Sequence, residues 1–153
     1  MGRMKTLILG LALPTLILLS ACADDAEAPT GDEATPTPDA LATICGRNPD
    51  PAIDDLVRVN APLARDAVSS PLTVQGRIAA FEATFELTLF DAGGNVLGEE
   101  VGMSSEGQTL APFAEDLPFS VIDETPACLW IYEKSARDGS PVHVVQIPVL
   151  LLP

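Results

Sequence analysis

Apolar and polar residues alternate with period two through the C-terminal two-thirds of this chain, with repeated breaks at Pro, Gly and Asn, and this constrains its fold more than anything else in it. Successive side chains of a strand face opposite sides of a sheet, so this period marks half-buried strands and not helices. Leu72, Val74, Gly76 and Ile78 share one face, with Thr73, Gln75 and Arg77 on the other. Phe85, Leu87 and Leu89 alternate with Glu86 and Thr88. Asp91-Ala92-Gly93-Gly94-Asn95 reads as a hairpin loop, because Gly and Asn tolerate positive φ. Val96–Met103 returns as a polar edge strand. Short strands are expected at Leu56–Val59 and Leu117–Val121, and Val142–Leu152 closes the set, with Pro148 at an edge or bulge. Cys128, Trp130 and Tyr132 face one way and Leu129, Ile131 and Glu133 the other, and the alternation predicts a buried, core Trp130, with an exposed aromatic binding platform of Trp130 and Tyr132 as the alternative. About seven short strands without a convincing helix predict an all-β fold, an immunoglobulin-like β-sandwich, with a small barrel as the alternative.

Charge excludes several functions. Lys and Arg number 8 against 22 Asp and Glu in 153 residues, a net charge of -14. Nucleic-acid binding needs a basic footprint, so no nucleic-acid partner is expected. One His and three Cys are too few for the common metal or nucleophile constellations.

The N-terminal residues read as an address. Arg3 and Lys5 precede a 14-residue apolar run, Thr6–Leu19, short for a spanning helix and interrupted by Pro14. Leu19-Ser20-Ala21-Cys22 then resembles a bacterial lipobox. Residues 1–21 are predicted to be a lipoprotein signal peptide and Cys22 the lipidated residue, so that membrane lipid is one partner. An ordinary secretory signal with a stray Cys is the alternative, and either reading sends the chain out of the cytoplasm. Residues 22–44 hold six acids, no base and three Pro. This stretch is predicted to be a disordered acidic tether with a reach of about 25 Å, or else an acidic interaction tail. Residues 45–153 then form the folded domain. In a Gram-negative host, Ala23 after the acylated Cys implies the periplasm-facing outer membrane.

Several stretches of the domain, in order, follow one pattern: Ser70-Pro71-Leu72-Thr73-Val74-Gln75-Gly76, Phe81-Glu82-Ala83, Leu89 to Leu97, Ala111-Pro112-Phe113, Tyr132 to Ser140 and Ile147-Pro148-Val149. Over roughly residues 56–151 the chain resembles the immunoglobulin-like domain of bacterial spore germination, the second of the Gmad-type domains. The resemblance implies a sandwich on a secreted or lipid-anchored envelope protein, with no established enzymatic activity and no defined ligand. The germination label belongs to the context of some members and is not carried over.

Few residues are left for chemistry. With Cys22 acylated, Cys45 and Cys128 are expected to pair as a disulfide in an oxidising compartment, worth roughly 4 kcal/mol in the chain-entropy model. No CxxC spacing supports a redox role. His143 with Ser69 or Ser70 lacks the nucleophile elbow of a hydrolase, so no catalytic residue is expected, and no metal or cofactor. Calcium at the Asp91–Asn95 loop, helped by Glu99 and Glu100, stays open as a weak alternative to the hairpin reading. Glu82 could latch its loop through an ion pair with Arg77 or Arg137, the alternative being a solvated surface acid. The function expected is a non-enzymatic, lipid-anchored envelope protein whose domain binds an envelope protein or a wall polymer. The alternative is a structural accessory subunit of a larger envelope complex with no ligand of its own.

Overall fold

The computed structural model describes residues 38–46 and 54–153. Eight strands are present there: β1 Val57–Ala61, β2 Ala67–Val68, β3 Leu72–Ile78, β4 Thr84–Asp91, β5 Val96–Met103, β6 Ala111–Leu117, β7 Thr125–Lys134 and β8 Pro141–Leu151. They form two sheets, one ordered β1-β3-β6 and one ordered β2-β8-β7-β4-β5. All pairings are antiparallel except β2 with β8. The architecture is an all-β, immunoglobulin-like sandwich.

The alternation sets what lies between the sheets. Val57, Leu72, Val74, Ile78 and Leu117 come from one sheet, and Phe85, Leu87, Leu89, Leu129, Ile131, Val145, Ile147 and Leu151 from the other. Each fully buried side chain of this size contributes about 1.5–3 kcal/mol. Phe85 and Phe113 meet across the gap with ring centroids 4.7 Å apart. Two glycines make room for that pair. A Cβ on Gly102 would collide with the Phe85 ring, and one on Gly76 with the Phe113 ring and the Arg58 carbonyl. These positions on β5 and β3 therefore serve the core by being empty.

Three expectations are corrected. The tether does not extend to residue 44, because Pro38–Ile44 is a helix, α1, with Leu41 buried. Pro38 at the first helical position and apolar Leu41, Ile44 and Cys45 at spacings of three and four are the sequence signals for it. The strand expected at Leu117–Val121 lies earlier, as β6, whose alternate residues Ala111, Phe113 and Leu117 are buried. Pro112 is tolerated because β6 is an edge strand. Pro148 is not at the bulge of β8 but on a stretch of it that β2 does not pair, so of the two expected settings the edge holds and the bulge does not. The register slips between Ile131 and Glu133 instead, so that His143 adopts φ of 53° opposite that point. The expected signal peptide, Cys22 and the first part of the expected tether lie outside the described residues.

Candidate functional site

The outer face of the five-stranded sheet carries the candidate site. On β7, Leu129 and Ile131 point into the core, so Cys128, Trp130 and Tyr132 point out. Their cross-strand partners on β4 are Phe90, Thr88 and Glu86. Trp130 is thus not the core residue expected from the alternation; it is partly buried on the outside, because Leu129 and Ile131 take the face that meets the second sheet. The three rings pack edge to face. Phe90 and Trp130 have centroids 5.1 Å apart at 65°, and Trp130 and Tyr132 6.4 Å apart at 88°. The Tyr132 hydroxyl lies 3.4 Å from Thr88 Oγ1. Edge-to-face is the arrangement that ring quadrupoles favour.

Helix α1 packs against β7 and β8 on this face. Two links hold its C-terminal end. A disulfide joins Cys45 to Cys128, with Cα atoms 5.3 Å apart. With its amide oriented to satisfy both neighbours, Gln146 on β8 donates to the Cys45 carbonyl at 2.7 Å and accepts from the Trp130 indole N–H at 3.3 Å. Gln146 therefore couples the helix end to the ring. Sequence reasoning missed it, although its outward register on β8 was legible from the alternation.

Between the helix end and the β4–β5 hairpin lies a cleft of about 350 Å³ lined by Ile44, Phe90, Asp91, Ala92, Gly94, Cys128 and Trp130. The hairpin wall is rigidly built. Asp91 Oδ1 accepts from the backbone N–H groups of Gly93 and Asn95, both at 2.8 Å, and Oδ2 accepts from Asn95 Nδ2 at 2.8 Å. Gly94, at φ of 79°, donates to the Asp91 carbonyl. The Asn95 side-chain amide, then the Asn95 backbone N–H and those of Gly93 and Gly94, hold the Asp91 carboxyl below its ordinary range against a smaller opposing effect of desolvation. Three donors thus satisfy Asp91 from within its own loop, and this is hairpin chemistry. No cluster of three His, Cys, Asp or Glu side chains able to hold a metal ion occurs among the described residues. Glu99 and Glu100 lie beside Glu86, Val101 and Lys134 in a separate depression.

The expected latch is corrected. Glu82 is exposed at φ of 55° in a short 3-10 turn, Phe81–Ala83, and pairs with neither arginine. Arg77 lies on the outer face of β3 and donates through Nε to the Leu110 carbonyl at 3.2 Å, joined by its Nη2. Arg137 bonds Asp138, its sequence neighbour, at 3.2 Å. The acid that does hold the turn is Glu133. It is buried, and its Oε2 accepts from the Phe81 backbone N–H at 2.9 Å. A half-exposed His143 lies 3.8 Å from Asp54, Nδ1 to Oδ2, and Ser70 Oγ accepts from the Phe119 N–H. The histidine and the serine are thus engaged with different partners.

An edge-to-face aromatic row beneath a disulfide-pinned helix, on a two-sheet framework, defines an immunoglobulin-like β-sandwich domain with one walled outer face. The chain belongs to the family of immunoglobulin-like domains of bacterial spore germination, whose family model matches residues 56–140. Among solved structures, the fold is similar to that of CopC from Methylosinus trichosporium OB3b, at 18% identity and a TM-score of 0.39, over 64% of this chain and 92% of that one. Comparison with curated proteins gave no match.

Proposed function

We propose that this protein is a non-enzymatic, lipid-anchored envelope protein whose immunoglobulin-like domain binds a partner through the outer face of its five-stranded sheet. The observation that carries the reading is the cleft between α1 and the β4–β5 hairpin, whose aromatic floor is half-buried and unoccupied by core packing. Binding sites are typically concave and mostly apolar with a few placed polar groups. The Cys45–Cys128 disulfide supports an oxidising, extracytoplasmic compartment. Acylation at Cys22 would supply the anchor, since two or more acyl chains hold a protein stably where one does not. The partner is an envelope protein or a wall polymer.

In-cell crosslinking of the tagged, lipidated protein, with mass spectrometry of what it captures, tests the binding reading. A reproducible partner lost on altering the β4–β5 hairpin is the expected result. Capture that survives this change and is lost on altering β5 would instead support the accessory-subunit reading. The exposed Val96, Val101 and Met103 along that edge strand favour it as the second reading. The anchor is checked separately. Cys22→Ala is expected to move the protein from the membrane to the soluble envelope fraction, and retention in the membrane would remove Cys22 from its role.

A further inference from the structure

The chemistry of the cleft narrows what it can hold. Among the described residues, its lining contains two aromatic rings, Asp91 as its one charged side chain, and no cation. Phe90 and Trp130 meet edge to face at 65°, so they form a corner, and a compact group seated beside it faces the ring surface that this contact leaves open. Aromatic faces are negative and attract cations. Asp91 adds a full negative charge held in place by its own loop. An ionised carboxylate has about four lone-pair sites, and the three loop bonds leave one free on Oδ2. The surrounding domain, residues 45–153, has 16 acids against 6 bases.

The same features disfavour the other ligand classes. An anion would meet Asp91. An apolar group would desolvate that carboxylate without returning a hydrogen bond. A sugar ring brings several hydroxyls that need partners, while the Trp130 indole N–H is already donated to Gln146. A zwitterionic lipid headgroup carries a phosphate beside its ammonium, and an acidic domain repels it. From this charge complementarity we propose that the Phe90–Trp130–Asp91 cleft binds a basic side chain, the ammonium of a lysine or the guanidinium of an arginine, presented by a protein partner. The proposal rests on the binding function argued above and specifies its chemistry. It also gives α1 a role, because Ile44, next to the disulfide, closes one wall and shields the corner from water.

The test is a titration of the full chain in detergent, with its disulfide intact, followed by NMR. Trp130 is the only tryptophan, so its indole N–H gives one resonance at the floor of the cleft. The probes are N-acetyl-arginine amide, N-acetyl-lysine amide, the neutral isostere N-acetyl-citrulline amide, and phosphocholine. The two basic probes are expected to shift the indole and the Gly93–Asn95 amides at millimolar concentration, while citrulline amide leaves them in place. Phe90→Leu, which keeps apolar bulk and removes the ring, is expected to weaken the basic probes about threefold. Asp91→Asn is expected to weaken them about fivefold or more. If Asp91→Asn disturbs the hairpin, the Phe90→Leu result decides alone.

An equal response to citrulline amide, or an effect of basic probes confined to Glu86, Glu99 and Glu100, would overturn the proposal. Phosphocholine binding as tightly as the basic probes would overturn it in favour of a headgroup. These outcomes are separable from those of crosslinking. Basic probes that bind the cleft while crosslinking captures no protein would leave the site standing and remove the partner-binding function. A captured partner whose binding is indifferent to Phe90→Leu and Asp91→Asn would do the reverse.

Discussion

The two sides of β7 make different demands on the same strand. On one side, Leu129 and Ile131 are fully buried among residues of both sheets. On the other, Cys128 and Trp130 are tied to the end of a seven-residue helix by a disulfide and one glutamine. The inner side is held by many interchangeable apolar contacts, each small and all additive in burial. The outer side is held by a few specific links, and its cover leaves a cleft open. A sheet face closed by another sheet becomes core, and a face closed by a short strap can remain a binding surface.

This contrast can be broken by substitution. Ile131→Ala is expected to cost about 4 kcal/mol, as deletion of a fully buried aliphatic side chain does. Trp130→Ala, partly buried on the other side, is expected to cost about half that. Urea denaturation of both variants measures the difference, and equal losses would mean that the outer face is packed as tightly as the inner one. Of similar size, the Cys45→Ser/Cys128→Ser double variant is expected to lose about 4 kcal/mol, because the bond closes a sequence separation of 83. In that variant the Trp130 emission should shift to the red as α1 leaves the ring. A loss of stability without any spectral change would show that the helix is held by packing alone.

A smaller effect separates the two glutamates at the opposite rim of the sandwich. Glu133→Ala removes the acceptor of the Phe81 N–H and is expected to cost about 1–3 kcal/mol. Glu82→Ala, exposed, should stay within about 0.5 kcal/mol. Glu133→Gln, which keeps an acceptor oxygen, should recover most of the loss. If Glu82→Ala proves the more damaging, the assignment of the latch to Glu133 is wrong.

The smallest effect is seen only against pH, and it compares the two hairpins. In the β7–β8 turn, the Ser140 hydroxyl and then its N–H, with the Arg137 and Ser135 side chains, push the Asp138 carboxyl down to about 2. A folded-state pKa below the unfolded value of 3.8 contributes stability that is present above that value and lost as pH falls towards 2. Asp91 behaves in the same direction. Asp138→Asn should therefore shrink the drop in stability between about pH 4 and pH 2 relative to the parent. A drop of unchanged size in that window would assign the acid sensitivity to other carboxylates.

Much of this was legible from residue types. The period of two placed β3, β4, β5 and β7, and Gly and Asn placed the Asp91–Asn95 hairpin, because these signals are local. What was not legible depends on what lies across a face. Alternation divides Leu129 from Trp130 but does not say which of them meets the second sheet. Glu82 looked like the latch because it follows Phe81 at the expected start of a strand, yet the acceptor of the Phe81 N–H is Glu133, 52 positions away. Helix α1 was hidden by composition, since acids and prolines upstream masked the short apolar spacing of Leu41, Ile44 and Cys45.

The Cys45–Cys128 bond also decides how the domain would bear a load. A pull on the chain ahead of α1 would ordinarily pass along the backbone to β1, an edge strand whose hydrogen bonds to β3 would break in succession. The covalent cross-link intercepts that pull at Cys128 and delivers it to β7, which is flanked on both sides by β4 and β8. Strain then spreads across two ladders at once, and the weakest seam of the sandwich is spared.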